Sequence, residues 1–264
     1  MRKPERASGA PAPQSGGSPM AHRRRWAAGI LAASLVCWAV LVWMAVDMGQ
    51  PLAQLAMPDA ADWGAASVLA VWAMWALMMA AMMLPSALPM VLAFTRLCER
   101  SAEQARALAF VAAYLLVWGA FSGAATAAQW ALQALGWTDP MAASRSAWLT
   151  ALLLCIAGAY QFSPLKRACL SRCRTPMGFL LGEWRAGVRG AWAMGLRHGL
   201  FCVGCCGALM ALLFVGGTMN LAWVAALAMA VAIEKLLPAG ERLAALLGLG
   251  LGAAGLVKLL LLWR

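Results

Sequence analysis

Seven stretches of this chain run for about a membrane's thickness with almost no charge, and that constrains the fold more than anything else in it. They are Trp26–Val46, Ala66–Phe94, Leu108–Leu135, Ala147–Phe162, Gly199–Gly217, Leu221–Leu237 and Leu243–Trp263. A helix needs about 20 apolar residues to cross the hydrocarbon core of a bilayer. Inside lipid every backbone polar group must be satisfied within the segment, which leaves helices as the answer to such runs. The 264 residues are 64% hydrophobic, against roughly 45–50% for a soluble domain. The expected fold class is therefore all-α, a polytopic transmembrane helix bundle of about seven spans.

Charge placement supplies the orientation. The net charge of +11 invites a nucleic-acid reading, but the basic residues sit between spans rather than on one face. With a cytoplasmic N-terminus, all of the 21 lysines and arginines except Arg145, Lys258 and Arg264 fall on the inside, as the positive-inside rule requires. The expected location is the bacterial cytoplasmic (inner) membrane, with the lipid bilayer rather than nucleic acid as partner. The first span carries a basic flank, His22 to Arg25. Its apolar run is long for a signal peptide and no small-residue cleavage site follows, so a retained anchor is expected, with Met20 an alternative start. Residues 1–21, rich in Pro, Gly, Ser and Ala, are expected to form a disordered arm. Residues 22–264 form the membrane domain. Eight cysteines on the cytoplasmic side or within the membrane point away from a disulfide framework.

Local signals refine this picture. Pro85 and Pro89 in the second span should kink or break it. Gly119 and Gly123, and Gly248 and Gly252 with Gly250 and Gly255 nearby, have the spacing of helix-packing faces. Between the fourth and fifth spans, Thr175-Pro176 reads as a helix start. Met177, Leu180, Leu181, Trp184, Val188 and Trp192 then recur at helical spacing. This predicts an amphipathic interfacial helix before the fifth span, holding a basic loop with Cys169 and Cys173 at the surface.

The chemistry concentrates there. At about 100° per residue, with His198 at zero, Cys202 lies near +40°, Cys205 near −20° and Cys206 near +80°. All four share one helix face, with Cys205 and Cys206 about 10–12 Å deeper than His198. Cys169 and Cys173, four residues apart, are flanked by Lys166, Arg167, Arg172 and Arg174, whose charge favours the thiolate. Thiolates and imidazoles at the edge of hydrocarbon are costly unless something binds them. Cys37, Cys98 and Cys155 stand apart as packing residues. Softness selects Cu(I), with Zn(II) the other ion that Cys and His suit. Met78, Met79, Met82 and Met83 in the second span add thioethers and tilt the choice to Cu(I). Glu234 and Lys235, at the end of the sixth span, read either as groups supporting the metal site or as an interfacial charge pair with Lys235 snorkelling. Tyr160 and Gln161 could line the same site.

Four segments in combination carry a resemblance: Met78-Met79 to Met82-Met83-Leu84-Pro85; Gly158-Ala159-Tyr160-Gln161 to Pro164-Leu165-Lys166; Cys169 to Cys173-Arg174; and Gly199 to Cys202-Val203-Gly204-Cys205-Cys206 with Leu209-Met210. Glu234-Lys235 with Pro238 adds to it. Over about residues 66–256 the chain resembles the bacterial predicted metal-binding integral membrane proteins, a domain-of-unknown-function family sometimes labelled copper chaperone. The resemblance implies a metal role for Cys169, Cys173, Cys202, Cys205 and Cys206. The leading expectation is a protein, not an enzyme, that binds a soft transition metal and handles, delivers or transports it, with a metal donor or acceptor protein as partner and an open oligomeric state. Two alternatives stand beside it: a thiol oxidoreductase using Cys202 and Cys205, and a scaffold subunit whose cysteines merely pack. With no P-loop lysine motif, ATP-driven pumping is not expected.

Overall fold

The computed structural model describes residues 19–98 and 103–263. The arm up to residue 18, Arg100 and Arg264 lie outside the described residues. Each of the seven apolar segments is helical. In chain order the helices are α1 (Pro19–Val46), α2 (Pro51–Leu55), α3 (Ala65–Leu97), α4 (Glu103–Ala134), α5 (Ala147–Tyr160), α6 (Pro164–Arg174), α7 (Pro176–Glu183), α8 (Gly187–Ala211), α9 (Leu213–Gly216), α10 (Leu221–Leu236) and α11 (Gly240–Leu262). Helix α1 begins within the segment assigned to the arm, so residues 19–21 belong to the first helix.

Five of these are long and apolar enough to cross a membrane unaided: α1, α3, α4, α8 continued through α9, and α11. Helices α5 and α6 make a possible sixth, a pair bent by 65° at a short break. Helix α10, with 16 residues, falls short of the length a straight span needs.

The broken element is therefore α5–α6 and not α3, which stays helical through Pro85 and Pro89. Proline removes the N–H that would bond the carbonyl four residues back. For Pro85 that carbonyl is Ala81, and Ser34 of α1 donates its hydroxyl to it at 2.8 Å. A neighbouring helix thus supplies the lost donor, and the proline costs the span little. Helix α6 starts anew because Ser163 caps it, its Oγ accepting from the Leu165 N–H at 3.2 Å, with Pro164 at the first position.

The glycines act as packing faces. A Cβ on Gly158 of α5 would stand 2.6 Å from the backbone nitrogen of Gly252, and one on Gly248 would stand 2.7 Å from Gln161 Cβ. Helices α5 and α11 can approach this closely only because those side chains are absent. Gly119 and Gly123 instead accommodate the Trp72 indole, whose Nε1 donates to the Gly119 carbonyl at 2.9 Å.

The interfacial helix is shorter than the sequence suggests. Helix α7 starts at Pro176 but ends at Glu183. Gly187, at φ 74°, then takes a left-handed conformation that other residues avoid, and α8 sets off from there. Val188 and Trp192 thus belong to α8. Phe179 and Leu180 form the buried face of α7, while Met177 and Leu181 face outward.

At the end of the bundle away from α7, tryptophans and glutamines close the core. Trp75 donates to Gln129 Oε1 at 2.8 Å and Trp63 to Gln133 Oε1 at 2.7 Å. Trp75, fully buried, also packs on Phe214 with ring centroids 5.1 Å apart.

Candidate metal centre

The site is built where α8 meets α3, α6 and α10. Helix α8 is drawn against α4 by Gly195 and Gly199. A Cβ on Gly195 would stand 2.9 Å from Ala113 Cβ, and one on Gly199 would stand 2.8 Å from Val117 Cβ. Gly204 does the same for α6, since its missing side chain leaves room for Cys169, whose Sγ would be 2.6 Å from a Cβ there. Cys169 and Cys173 sit on helix α6, not in the basic loop expected of them. A helix presents both thiols, four residues apart, on one face.

That face meets the α8 stripe. Cys173 Sγ lies 3.9 Å from Cys205 Sγ. Cys206 Sγ lies 3.9 Å from the Met83 thioether of α3. Cys205 and Cys206 both donate to the Cys202 carbonyl, at 3.1 and 3.0 Å. Cys202 lies on the same stripe of α8. Its Sγ lies 3.0 Å from Lys235 Nζ and 3.1 Å from Tyr114 Oη. Cys202, Cys205 and Cys206 are each 1% exposed, and no disulfide joins any of the eight cysteines.

Among the described residues, no three His, Cys, Asp or Glu side chains are arranged to hold one ion. The sulfurs stand in pairs instead. At a metal–sulfur bond of about 2.3 Å, two sulfurs on one ion lie roughly 3.8 Å apart in a tetrahedral site and up to about 4.6 Å apart in a linear one. Both 3.9 Å pairs fall within that range.

His198 is on the expected face but surrounded by rings. Its imidazole packs on Phe110, Tyr114 and Phe179 at centroid distances of 5.8, 5.4 and 5.7 Å, and its buried Nδ1 has no partner among the described residues. Of the four predicted methionines, Met83 reaches a thiol. Met78, Met79 and Met82 are buried packing residues of the same core.

The polar residues arrange themselves differently from expectation. Glu234 and Lys235 do not pair at the interface, and Lys235 does not snorkel. Both are buried, at 2% and 7% exposure. They point apart because consecutive helical residues diverge by about 100°. Glu234 takes the buried Lys166 ammonium at 2.6 Å and a bond from Gln161 Nε2 at 3.1 Å. Lys235 donates to Ser86 Oγ at 3.2 Å as well as to Cys202. Tyr160 donates to the Gly204 carbonyl at 2.5 Å, tying α5 to the α8 stripe.

Three of these groups escaped the sequence reading. Lys166 counted as a topology charge and as one of the cations flanking Cys169 and Cys173, not as the partner of Glu234. Read as a helix, residues 166, 169 and 173 form one stripe, which would have placed the lysine with the thiols. Tyr114 is one of two tyrosines in the chain and lies deep in a span, a position that asks for a hydrogen-bond partner. Arg106 is buried, with its guanidinium 4.9 Å from the Trp184 ring centroid and 5.9 Å from that of Phe94. Such cation–π contacts fasten the α7–α8 linker to α4, and no pattern in the sequence announces them.

A family model described as PpoB2, copper chaperone, matches residues 72–258. The chain belongs to the PpoB2 copper chaperone family. The matched segment takes in most of α3 and everything from α4 to the greater part of α11, so every residue of the sulfur cluster lies inside it, as do Lys166, Glu234 and Lys235. Helices α1 and α2 lie beyond it. No curated protein and no solved structure matches the chain.

Proposed function

We propose that this protein binds Cu(I) in the buried sulfur cluster, at the cytoplasmic side of the bacterial inner membrane, and hands the ion to or from a partner protein. The observation that carries this reading is the pair of 3.9 Å sulfur–sulfur separations, Cys173 to Cys205 and Cys206 to Met83, around a thiol that is itself buried. Two-sulfur sites suit a soft monovalent ion that accepts low coordination numbers. Zn(II) favours four ligands in a closed tetrahedron.

Two features support delivery over passage. The thiols lie towards the α6–α7 end of the bundle. In the other direction, Trp75 and Phe214 fill the core beyond the methionines of α3. An enzymatic thiol role fits less well. Cys205 Sγ stands 3.9 Å from Cys173 Sγ, and its thiol donates to the Cys202 carbonyl, not to the Cys202 sulfur.

The test is elemental analysis of the purified full-length protein, grown with copper and handled anaerobically with reductant. Stoichiometric copper is expected, and its absence from the wild-type protein overturns the proposal. A reporter fused in the 139–145 loop is expected to report the outer side. A cytoplasmic signal from that fusion overturns the orientation.

A further inference from the structure

Lys235 is a buried cation that no carboxylate pairs with among the described residues. Its contacts are Cys202 Sγ at 3.0 Å, Ser86 Oγ at 3.2 Å and Met83 Sδ at 3.9 Å. Glu234, next in sequence, is already taken by Lys166 at 2.6 Å, so that pair cancels and leaves Lys235 over. An ammonium only donates hydrogen bonds, so the Cys202 sulfur and the Ser86 oxygen act as acceptors. Ser86 spends its own proton on the Met83 carbonyl at 2.9 Å, which leaves its lone pairs to Lys235. A positive charge buried in a membrane protein without a counter-ion is expensive, and such residues pair with something.

The thiol cluster is what it faces. A monovalent ion held by the thiolates of Cys173 and Cys205 carries a net charge of −1, since each of the two thiols releases its proton to solvent on binding, whereas on Cys206 and the Met83 thioether the sum is already zero. Beside one ammonium the bis-thiolate complex also sums to zero. A divalent ion on the same two thiolates is already neutral and leaves the lysine uncompensated.

We infer that Lys235 is the fixed counter-charge of the bound metal, and that it sets the site for an anionic bis-thiolate complex of a monovalent soft cation over a neutral complex of a divalent one. This deepens the copper-binding reading and rests on it. Lys235 acts as a positioning residue through charge and is not a ligand. Ser86 Oγ accepts from its ammonium, and Tyr114 contributes a neutral hydrogen bond to the Cys202 sulfur.

The test compares Cu(I) and Zn(II) affinities of purified wild type, Lys235→Met, Lys235→Arg and Tyr114→Phe, measured by competition with chromophoric chelators. Residues that support a metal site from outside its ligand shell contribute about 10–100-fold to affinity. Lys235→Met is expected to lose at least about tenfold in Cu(I) affinity with Zn(II) affinity unchanged or higher. Lys235→Arg should keep the wild-type preference, and Tyr114→Phe should weaken both ions alike. Damage to packing would lower both affinities together, so a parallel fall in Lys235→Met, or no fall at all, overturns the inference while leaving the copper reading intact. If Lys235→Met fails to accumulate, Lys235→Gln carries the same comparison, and a lost preference in Lys235→Arg also overturns the inference. Absence of copper from the wild type is the separate result that removes the reading beneath it.

Discussion

Replacing Cys173 and Cys205 together with serine is expected to remove the copper held between α6 and α8 and so to lower the copper bound per protein. The two thiols stand 3.9 Å apart on different helices, one on α6 and one on α8. A hydroxyl is a hard, neutral donor at working pH and does not replace a thiolate toward a soft ion. Removing residues that merely support a site costs about 10–100-fold in affinity, so losing two ligands should exceed about 100-fold. The substitution is nearly isosteric, so helical content and detergent-phase unfolding should stay close to wild type. Cys37→Ser, far from the cluster in sequence and on α1, serves as the control and should bind copper normally. If the double variant retained wild-type copper, the cluster would be a packing feature, as the scaffold reading holds. Because only one thiol of the pair lies on the α8 stripe, Cys173→Ser alone is informative about whether α6 closes the site.

The second large effect concerns stability. Glu234→Leu leaves the Lys166 ammonium, 1% exposed, without its anion, and strips the Gln161 amide of its acceptor. Breaking a buried ion pair from one side costs about 3–5 kcal/mol, because the surviving charge stays buried and uncompensated. A loss of that size should appear in unfolding of the purified protein in detergent and as poor accumulation in cells. The double variant Lys166→Met with Glu234→Leu removes both charges and should recover most of the loss, since replacing a buried pair by apolar residues of similar volume is often neutral or stabilising. A Glu234→Leu protein as stable as wild type would show that the pair does not hold α6 to α10.

Both predictions depend on α6, and α6 marks where sequence reading stopped. The seven apolar segments were legible because a bilayer demands length and lack of charge, and both are properties of consecutive residues. The α8 stripe was legible for the same reason, since helical periodicity places His198, Cys202, Cys205 and Cys206 on one face without reference to anything else. The α6 stripe was hidden by its charge. Lys166, Arg167, Arg172 and Arg174 look like solvated topology signals, and the segment was read as a loop. Once the chain turns by 65° after α5, one of those charges is buried against Glu234 and the neighbouring thiols face α8.

The α3 prolines show the opposite case. They leave the helix unbroken, because Ser34 from another helix satisfies the Ala81 carbonyl that Pro85 frees. The fate of His198 was equally invisible. Phe110, Tyr114 and Phe179 come from α4 and α7, and nothing in the α8 segment says that rings will surround its imidazole.

By itself the sequence determined that this is a multi-pass helical protein, and that one helix carries a line of three cysteines and a histidine. These follow from local periodicity and from the transfer cost of polar groups into hydrocarbon, both written in contiguous residues. Tertiary structure alone decided which sulfurs meet, that Glu234 and Lys235 part company, and that a lone ammonium faces Cys202. Those outcomes come from helices brought together at glycine contacts, where the energy lies in pairs far apart in the chain, and no window along the sequence contains both members.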